Sequence, residues 1–294
     1  MPNRRHILAL GIFGLFGLFL ILESCENDNG QISPSGGRTA LEYAYECQEV
    51  LGPLPRFSCL DAIEVPTTKD GIPVSFPGGE EGSGSSNPDD CDHPWAFGMA
   101  CQTGNKVGRY QGLNSDGSEN QDVIFITFCR DGGLGVIGHK ISTGETCFLS
   151  IIDNGDADYP PIPGEDGYND LWMTPSIIAA DNCQNCHMAS PFLHTPAVDQ
   201  LRNPLDTSEL LVPLTGNNPY SIIGQEFNQP HTTIIQNSCT SCHRPQCTQH
   251  FENYPLDELI MPPPFQNATD FDHSNITDAD RQVVRNWCNS LGLN

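Results

Sequence analysis

Thirteen cysteines in a chain of 294 residues constrain the fold of this protein more than any other feature of its sequence. Four of them form two copies of one pattern, Cys-x-x-Cys-His, at Cys183, Cys186 and His187 and again at Cys239, Cys242 and His243. Cys25 follows an apolar N-terminal run, and the rest stand at positions 47, 59, 91, 101, 129, 147, 247 and 288. Because this remainder is even, it predicts a framework of disulfides if the chain is exported.

The N-terminus is typical of an export signal. Arg4 and Arg5 precede an unbroken apolar run, Ile7 to Leu22, which is shorter than the ~20 residues that span a bilayer. The following "LESC" resembles a bacterial lipoprotein box, whose cysteine is lipidated and becomes the new N-terminus; an ordinary cleaved signal is the alternative. We therefore predict a signal peptide over 1–24, a lipid on Cys25 and a polar tether over 25–40. The protein would lie outside the cytoplasm, anchored at the periplasmic face or the cell surface.

The charge of the chain excludes one class of partner. Lysine and arginine total 13 against 37 acidic residues, a formal net charge of −24. Nucleic-acid binding needs clustered cations, so we expect no nucleic-acid partner. The acidic surface could attract basic partner proteins, although solubility or adaptation to salt explains it equally well.

Three apolar runs in the middle of the chain predict a β-meander. They are "DVIFITFC" from Asp122, "LGVIGHKI" from Leu134 and "TCFLSII" from Thr146, separated by the turn sequences "RDGG" and "STGE". Cys129 and Cys147 would lie on the two outer strands, where we expect them to form a disulfide. The segment "GLGVIG" (133–138) matches a dinucleotide-binding pattern by coincidence, because a second hairpin strand follows it instead of a helix.

A proline cluster, "YPPIPGEDG" (159–167), indicates a domain boundary. We predict an α+β fold: a disulfide-stabilised β-rich domain over 41–158, followed by a mainly α domain over 159–294 that contains both Cys-x-x-Cys-His motifs. The final stretch, "ITDADRQVVRNWCNSLG", predicts an amphipathic helix with Thr277 as its N-cap.

The two motifs favour covalently bound haem over zinc. Residues i, i+3 and i+4 share one face of a helical turn, so two thiols can bond one porphyrin while the imidazole reaches its iron. A single site of four thiolates could instead hold zinc, but it would leave both histidines, His187 and His243, without a role. We therefore predict two c-type haems, attached through Cys183 and Cys186 and through Cys239 and Cys242.

From about Ile222 onward the chain resembles a class I cytochrome c: "CTSCH", then "LIMPPPF" containing Met261, then the amphipathic C-terminal helix. The resemblance implies a cytochrome c-like dihaem domain, with His243 and Met261 as the axial ligands of haem 2. It also suggests that Cys247 and Cys288 meet in a bridge. The alternative is that each of these cysteines pairs with one in the N-terminal region.

The sixth ligand of haem 1 is open to three candidates, His194, His231 and Met173. We favour His194, because a link of seven residues from His187 spans up to ~24 Å, enough to pass around a porphyrin edge. Function then follows as an expectation: a membrane-anchored dihaem cytochrome that transfers electrons to and from redox partners. The alternatives are a haem-dependent oxidoreductase, such as a dihaem peroxidase with an open haem, and a binding or assembly module that carries haems.

Overall fold

The computed structural model describes residues 37–76, 82–95, 100–130, 132–151, 157–180, 187, 190–215, 219–229 and 286. All of them belong to one compact unit, Ile32–Asn294. The helices within this part of the chain are α1 (Ala40–Leu51), α2 (Tyr168–Leu171), α3 (Pro175–Ala180) and α4 (Pro196–Asp199). None of these described helices is both long enough and apolar enough to cross a bilayer.

The strands dominate the described residues. They are β1 (Ile63–Glu64), β2 (Thr68–Lys69), β3 (Ile72–Pro73), β4 (Gly84–Ser85), β5 (Cys101–Gln102), β6 (Lys106–Leu113), β7 (Glu119–Arg130), β8 (Gly133–Lys140), β9 (Glu145–Ile151), β10 (Arg202–Asn203), β11 (Asp206–Leu210) and β12 (Ser221–Ile222). Six of them form one sheet in the order β1-β6-β7-β8-β9-β12. Its strand pairs are antiparallel except for β12, which runs parallel to β9. The others pair as β2-β3, β4-β5 and β10-β11.

The predicted meander is confirmed as β7, β8 and β9. Along β7, residues 123, 125 and 129 pack towards α1, whereas Ile124 and Ile126 pack on the other face of the sheet, which is the period of two expected of a strand buried on both sides. The glycine-rich segment 133–138 lies on β8, so its match to a dinucleotide-binding pattern is indeed a coincidence.

Helix α1 covers one face of the sheet, which we call the helix face. Thr39 is its N-cap: the side chain accepts a hydrogen bond from the backbone N–H of Glu42, whose carboxylate accepts one from the backbone N–H of Thr39. The buried residues of α1 recur at helical spacing and form one apolar stripe against the sheet. They are Ala40, Tyr43, Ala44, Cys47 and Leu51.

Two disulfides join the N-terminal segment to this sheet. Cys47 on α1 is bonded to Cys147 on β9, and Cys59 is bonded to Cys129 on β7. The expected Cys129–Cys147 bridge is therefore wrong. The reason is strand order, because β8 lies between β7 and β9. Two strand spacings are ~9.6 Å, beyond the ~7 Å that a disulfide allows between Cα atoms.

A third disulfide, between Cys91 and Cys101, closes a separate small cluster. The three bonds use six cysteines, including the four N-terminal candidates for pairing with Cys247 or Cys288, which are Cys47, Cys59, Cys91 and Cys101. That alternative pairing is therefore wrong. Cys247 and Cys288 themselves lie outside the described residues.

The expected α+β fold class, with a mainly α cytochrome c-like second domain, is also wrong, because more residues lie in strands than in helices over the whole of the described chain. In the described part of 159–229, the helices are only four to six residues long and three further strands are present. Proline is the physical cause: α3 and α4 each begin at one, and Pro191, Pro204, Pro213 and Pro219 keep the intervening chain extended or turning. The boundary proposed after residue 158 stays a prediction, although one apolar core includes residues from both sides of it.

The second face of the sheet is covered by residues 190–215, which we call the covering segment. Its apolar side chains pack on Ile124 and Ile126; they are Phe192, Ala197, Val198, Leu201, Leu211 and Val212. Polar contacts also hold it: the Gln200 side-chain amide donates to the Pro66 carbonyl (3.0 Å), and Arg109 donates to the Leu210 carbonyl (3.2 Å). The sequence then returns to the sheet as β12.

Candidate functional site

The proposed site residues divide into two groups. Cys25, Cys183, Cys186 and the whole second motif (Cys239, Cys242, His243), together with Met261, lie outside the described residues, and their roles stay predictions. His187, His194 and Met173 are described. The chemistry of the first motif can therefore be examined from its histidine outward.

One nitrogen of the His187 ring has a backbone hydrogen-bond partner. Its Nδ1 lies 2.9 Å from the carbonyl oxygen of Pro191. Because a carbonyl only accepts, Nδ1 must carry the hydrogen, which leaves Nε2 as a lone-pair donor. Burial lowers the pKa of His187 to about 4, even though backbone hydrogen bonds from the ring raise it, so the imidazole is neutral at physiological pH. A neutral imidazole with its other N–H on a backbone carbonyl is the usual state of a metal-ligating histidine.

Phe148 on β9 fixes the plane of this ring. The two ring centroids lie 5.4 Å apart at 52°, and Phe148 also contacts Phe227, with centroids 6.0 Å apart. The backbone of Phe148 is held in turn by the hydroxyl of Tyr43, which accepts a hydrogen bond from Phe148 N–H (3.3 Å) and donates one to the Ile223 carbonyl (3.1 Å). Tyr43 thus joins the backbone of β9 to Ile223, the residue that follows β12.

His194 has a similar division between its two nitrogens, with a stronger acceptor. Nδ1 lies 2.7 Å from Oδ1 of Asp199, and the two side chains are 6% and 5% exposed. Nε2 of His194 is buried and has no hydrogen-bond partner among the described residues. Since carboxylates accept, the hydrogen lies on Nδ1, and the Nε2 lone pair is again the free ligand position.

Both histidines belong to the same side of the sheet. His187 contacts Phe148, and Phe192 contacts His139 on β8, with ring centroids 5.7 Å apart. His139 is the register partner of Thr146, two residues before Phe148, so these contacts lie on one face, the face opposite α1.

The structure gives less support to the other two candidates for the sixth ligand of haem 1. Met173 follows the isolated bridge between Trp172 and Ile151, and its side chain packs against the core under α1. His231 lies outside the described residues. Among the residues that are described, no group of three or more histidine, cysteine, aspartate or glutamate side chains is arranged to hold a metal ion.

Sequence reasoning missed Asp199, Phe148 and Tyr43. For Asp199 a signal was present: in "HTPAVD", Thr195 is a good N-cap and Pro196 a good first helical residue, so one helical turn brings the aspartate back beside His194. For Phe148 and Tyr43 there was none, because their contacts join positions more than thirty residues apart in sequence.

Comparisons with protein-family models, with curated proteins and with solved structures found no match to this chain.

Proposed function

We propose that this protein is a membrane-anchored c-type cytochrome, which carries two covalent haems and transfers electrons outside the cytoplasm. The observation that carries the proposal is the state of His187. It ends a Cys-x-x-Cys-His motif, its ring is neutral, and its Nδ1 is engaged by the Pro191 carbonyl so that only Nε2 is left for iron. This arrangement suits a histidine that ligates a metal, and haem is favoured over zinc because a four-thiolate zinc site would leave the histidine of each motif without a role.

The residues around His187 and His194 fit a haem. When bound, haem supplies an iron that gains and loses one electron between its ferric and ferrous forms. Cys183 and Cys186 would hold it covalently, His187 would ligate it, and His194 would supply the second nitrogen. Phe148 fixes the ring plane of His187, and the buried Phe192 contributes apolar surface beside His194. For haem 2, the resemblance of the C-terminal sequence supplies His243 and Met261 as the axial pair.

An electron carrier is favoured over a peroxidase-like enzyme by the buried Nε2 of His194. An enzyme of that kind needs an open iron position, whereas a second histidine that fills it leaves none. The disulfides support the proposed location, since such bonds persist in oxidising compartments outside the cytoplasm. The net charge of −24 favours basic redox partners.

Carbon monoxide tests the choice between carrier and enzyme. The reduced protein should leave its visible spectrum unchanged under carbon monoxide, because histidine or methionine occupies the sixth position of each iron. A spectrum that changes with a stoichiometry of one carbon monoxide per chain would favour the enzyme instead.

The anchor is tested separately. Cys25→Ala should move the protein from the membrane fraction to the soluble fraction, with Asn29→Ala as a control that keeps the lipid site. Membrane association that survives in the Cys25→Ala variant would contradict the lipid anchor and leave the haem proposal intact.

A further inference from the structure

His194 and Asp199 form a buried pair whose position is set by one short helical turn. His194 directly precedes Thr195, the N-cap of α4, whose hydroxyl accepts a hydrogen bond from Val198 N–H (3.3 Å). Asp199 is the last residue of α4, and its backbone N–H donates to the Thr195 carbonyl (2.9 Å). The turn therefore holds the carboxylate against Nδ1 of His194, with no dependence on a distant segment.

Each side chain of this pair uses only one of its two polar atoms in a hydrogen bond among the described residues. Nε2 of His194 and Oδ2 of Asp199 are both buried, and neither has a hydrogen-bond partner among the described residues. Leaving such atoms without partners costs about 1–3 kcal/mol each, so a purely structural pair would be expected to use them. A ligand at Nε2 accounts for the cost at the histidine.

The two histidines differ in what their Nδ1 atoms contact. His187 donates to an uncharged carbonyl, whereas His194 donates to a carboxylate. A carboxylate draws the Nδ1 proton more strongly and so makes Nε2 a stronger donor to a metal. A stronger axial donor stabilises ferric over ferrous iron and lowers the reduction potential.

We propose that Asp199 is a positioning residue for haem 1: it holds the Nε2 atom of His194 toward the iron and strengthens it as a ligand, which makes haem 1 the low-potential haem. This inference rests on the proposed function, since it needs a haem at the first motif. It also explains why a carboxylate is buried beside His194 in the covering segment.

The test compares Asp199→Asn with a matched control, Glu209→Gln, in the full-length haem-loaded protein. Glu209 lies in the same segment and its loss changes the net charge equally, but its side chain is 54% exposed and contacts Arg109 and Asn203. In Asp199→Asn the midpoint potential of haem 1 should rise, and imidazole should displace His194 at about tenfold to a hundredfold lower concentration. Asp199→Glu should restore both properties in part, and Glu209→Gln should leave both unchanged.

Stability is measured on every variant, because a merely structural Asp199 would change the unfolding midpoint alone. Loss of stability with an unchanged potential and unchanged imidazole displacement would overturn the inference. If Asp199→Asn does not fold, His194→Ala decides: it should open haem 1 to carbon monoxide, and a haem 1 that stays closed in this variant would exclude His194 and its partner. Absence of covalent haem from the wild-type protein would instead contradict the proposed function itself.

Discussion

The two faces of the central sheet are covered in different ways. On the helix face, α1 and the chain after it are bonded to β9 and β7 by the Cys47–Cys147 and Cys59–Cys129 disulfides. On the opposite face, the covering segment contains no cysteine and is held by apolar packing and hydrogen bonds. His187 and His194 both belong to this second face.

This difference separates stability from the proposed chemistry. The disulfides close loops whose ends are 100 and 70 residues apart, so they restrict the unfolded chain strongly and brace the sheet. The second face has no disulfide among its described residues, so its packing depends on apolar contacts and hydrogen bonds alone.

The largest loss of stability should come from removing a disulfide of the helix face. Removing Cys47 and Cys147 together by alanine substitution should lower the free energy of unfolding by about 4–5 kcal/mol, the chain-entropy value for a loop of that length. The matched control is Cys91→Ala with Cys101→Ala, whose ends are only 10 residues apart, and its cost should be about 3 kcal/mol. Denaturant unfolding measures both variants, and equal losses would mean that loop length does not decide the bracing.

The next effect tests the return of the chain from the covering segment to the sheet. Gly144 has φ +88°, and a Cβ there would lie 2.1 Å from the carbonyl oxygen of Pro219. Gly144→Ala should therefore cost several kcal/mol, since it adds a backbone clash to the ~1 kcal/mol of a strained φ. Gly117→Ala is the control: its φ is +83° but a Cβ would meet nothing within 4 Å. Equal unfolding free energies for the two variants would show that the Pro219 contact is dispensable.

A smaller effect tests the link between the two faces through Tyr43. Burial raises the pKa of Tyr43, so its hydroxyl stays protonated and can serve both Phe148 and Ile223. Tyr43→Phe should destabilise the protein by about 1–3 kcal/mol, because two buried backbone groups lose a partner. Tyr45→Phe, on the same helix but 46% exposed, should change the unfolding free energy little. If both variants unfold alike, the hydroxyl of Tyr43 does not join the faces.

The smallest effect should lie outside both faces, at Asp92. Its carboxylate accepts hydrogen bonds from Gly71 N–H, the Thr68 hydroxyl and Asp70 N–H, and these hold its pKa below the usual range. A depressed pKa stabilises the folded state above the unfolded pKa of ~3.9, and this contribution is lost as the pH falls through the folded value. The stability difference between wild type and Asp92→Asn should therefore be full at neutral pH and shrink below pH ~4. A difference that does not vary with pH would contradict this role.

The sequence predicted the meander well and the surroundings poorly. The turn sequences "RDGG" and "STGE" separate the apolar runs, so β7 to β9 could be predicted from local sequence alone. Helix α1 was missed although Thr39, Glu42 and the spacing of its apolar residues signalled it. Disulfide pairing could not be derived because it depends on strand order. The predicted mainly α second domain was wrong because prolines start α3 and α4 and keep the chain between the short helices extended or turning.

Only the motif and the spacing of the candidate site could be recognised from the sequence. His187 and His194 could be named from motif and spacing. Which ring nitrogen carries the hydrogen depends on contacts with the Pro191 carbonyl and the Asp199 carboxylate, and local turns bring these groups into place. The aromatic contact of Phe148 with His187 depends on the fold of the whole sheet.

Intact mass under denaturing conditions tests the central claim most directly, because only covalent haem remains on an unfolded chain. The wild-type protein should carry the mass of two haems, and its unfolded chain should keep a haem spectrum. Cys183→Ala with Cys186→Ala should carry one haem, and Cys239→Ala with Cys242→Ala should carry the other. A wild-type chain whose mass contains no haem, with zinc in place of iron by elemental analysis, would contradict the claim.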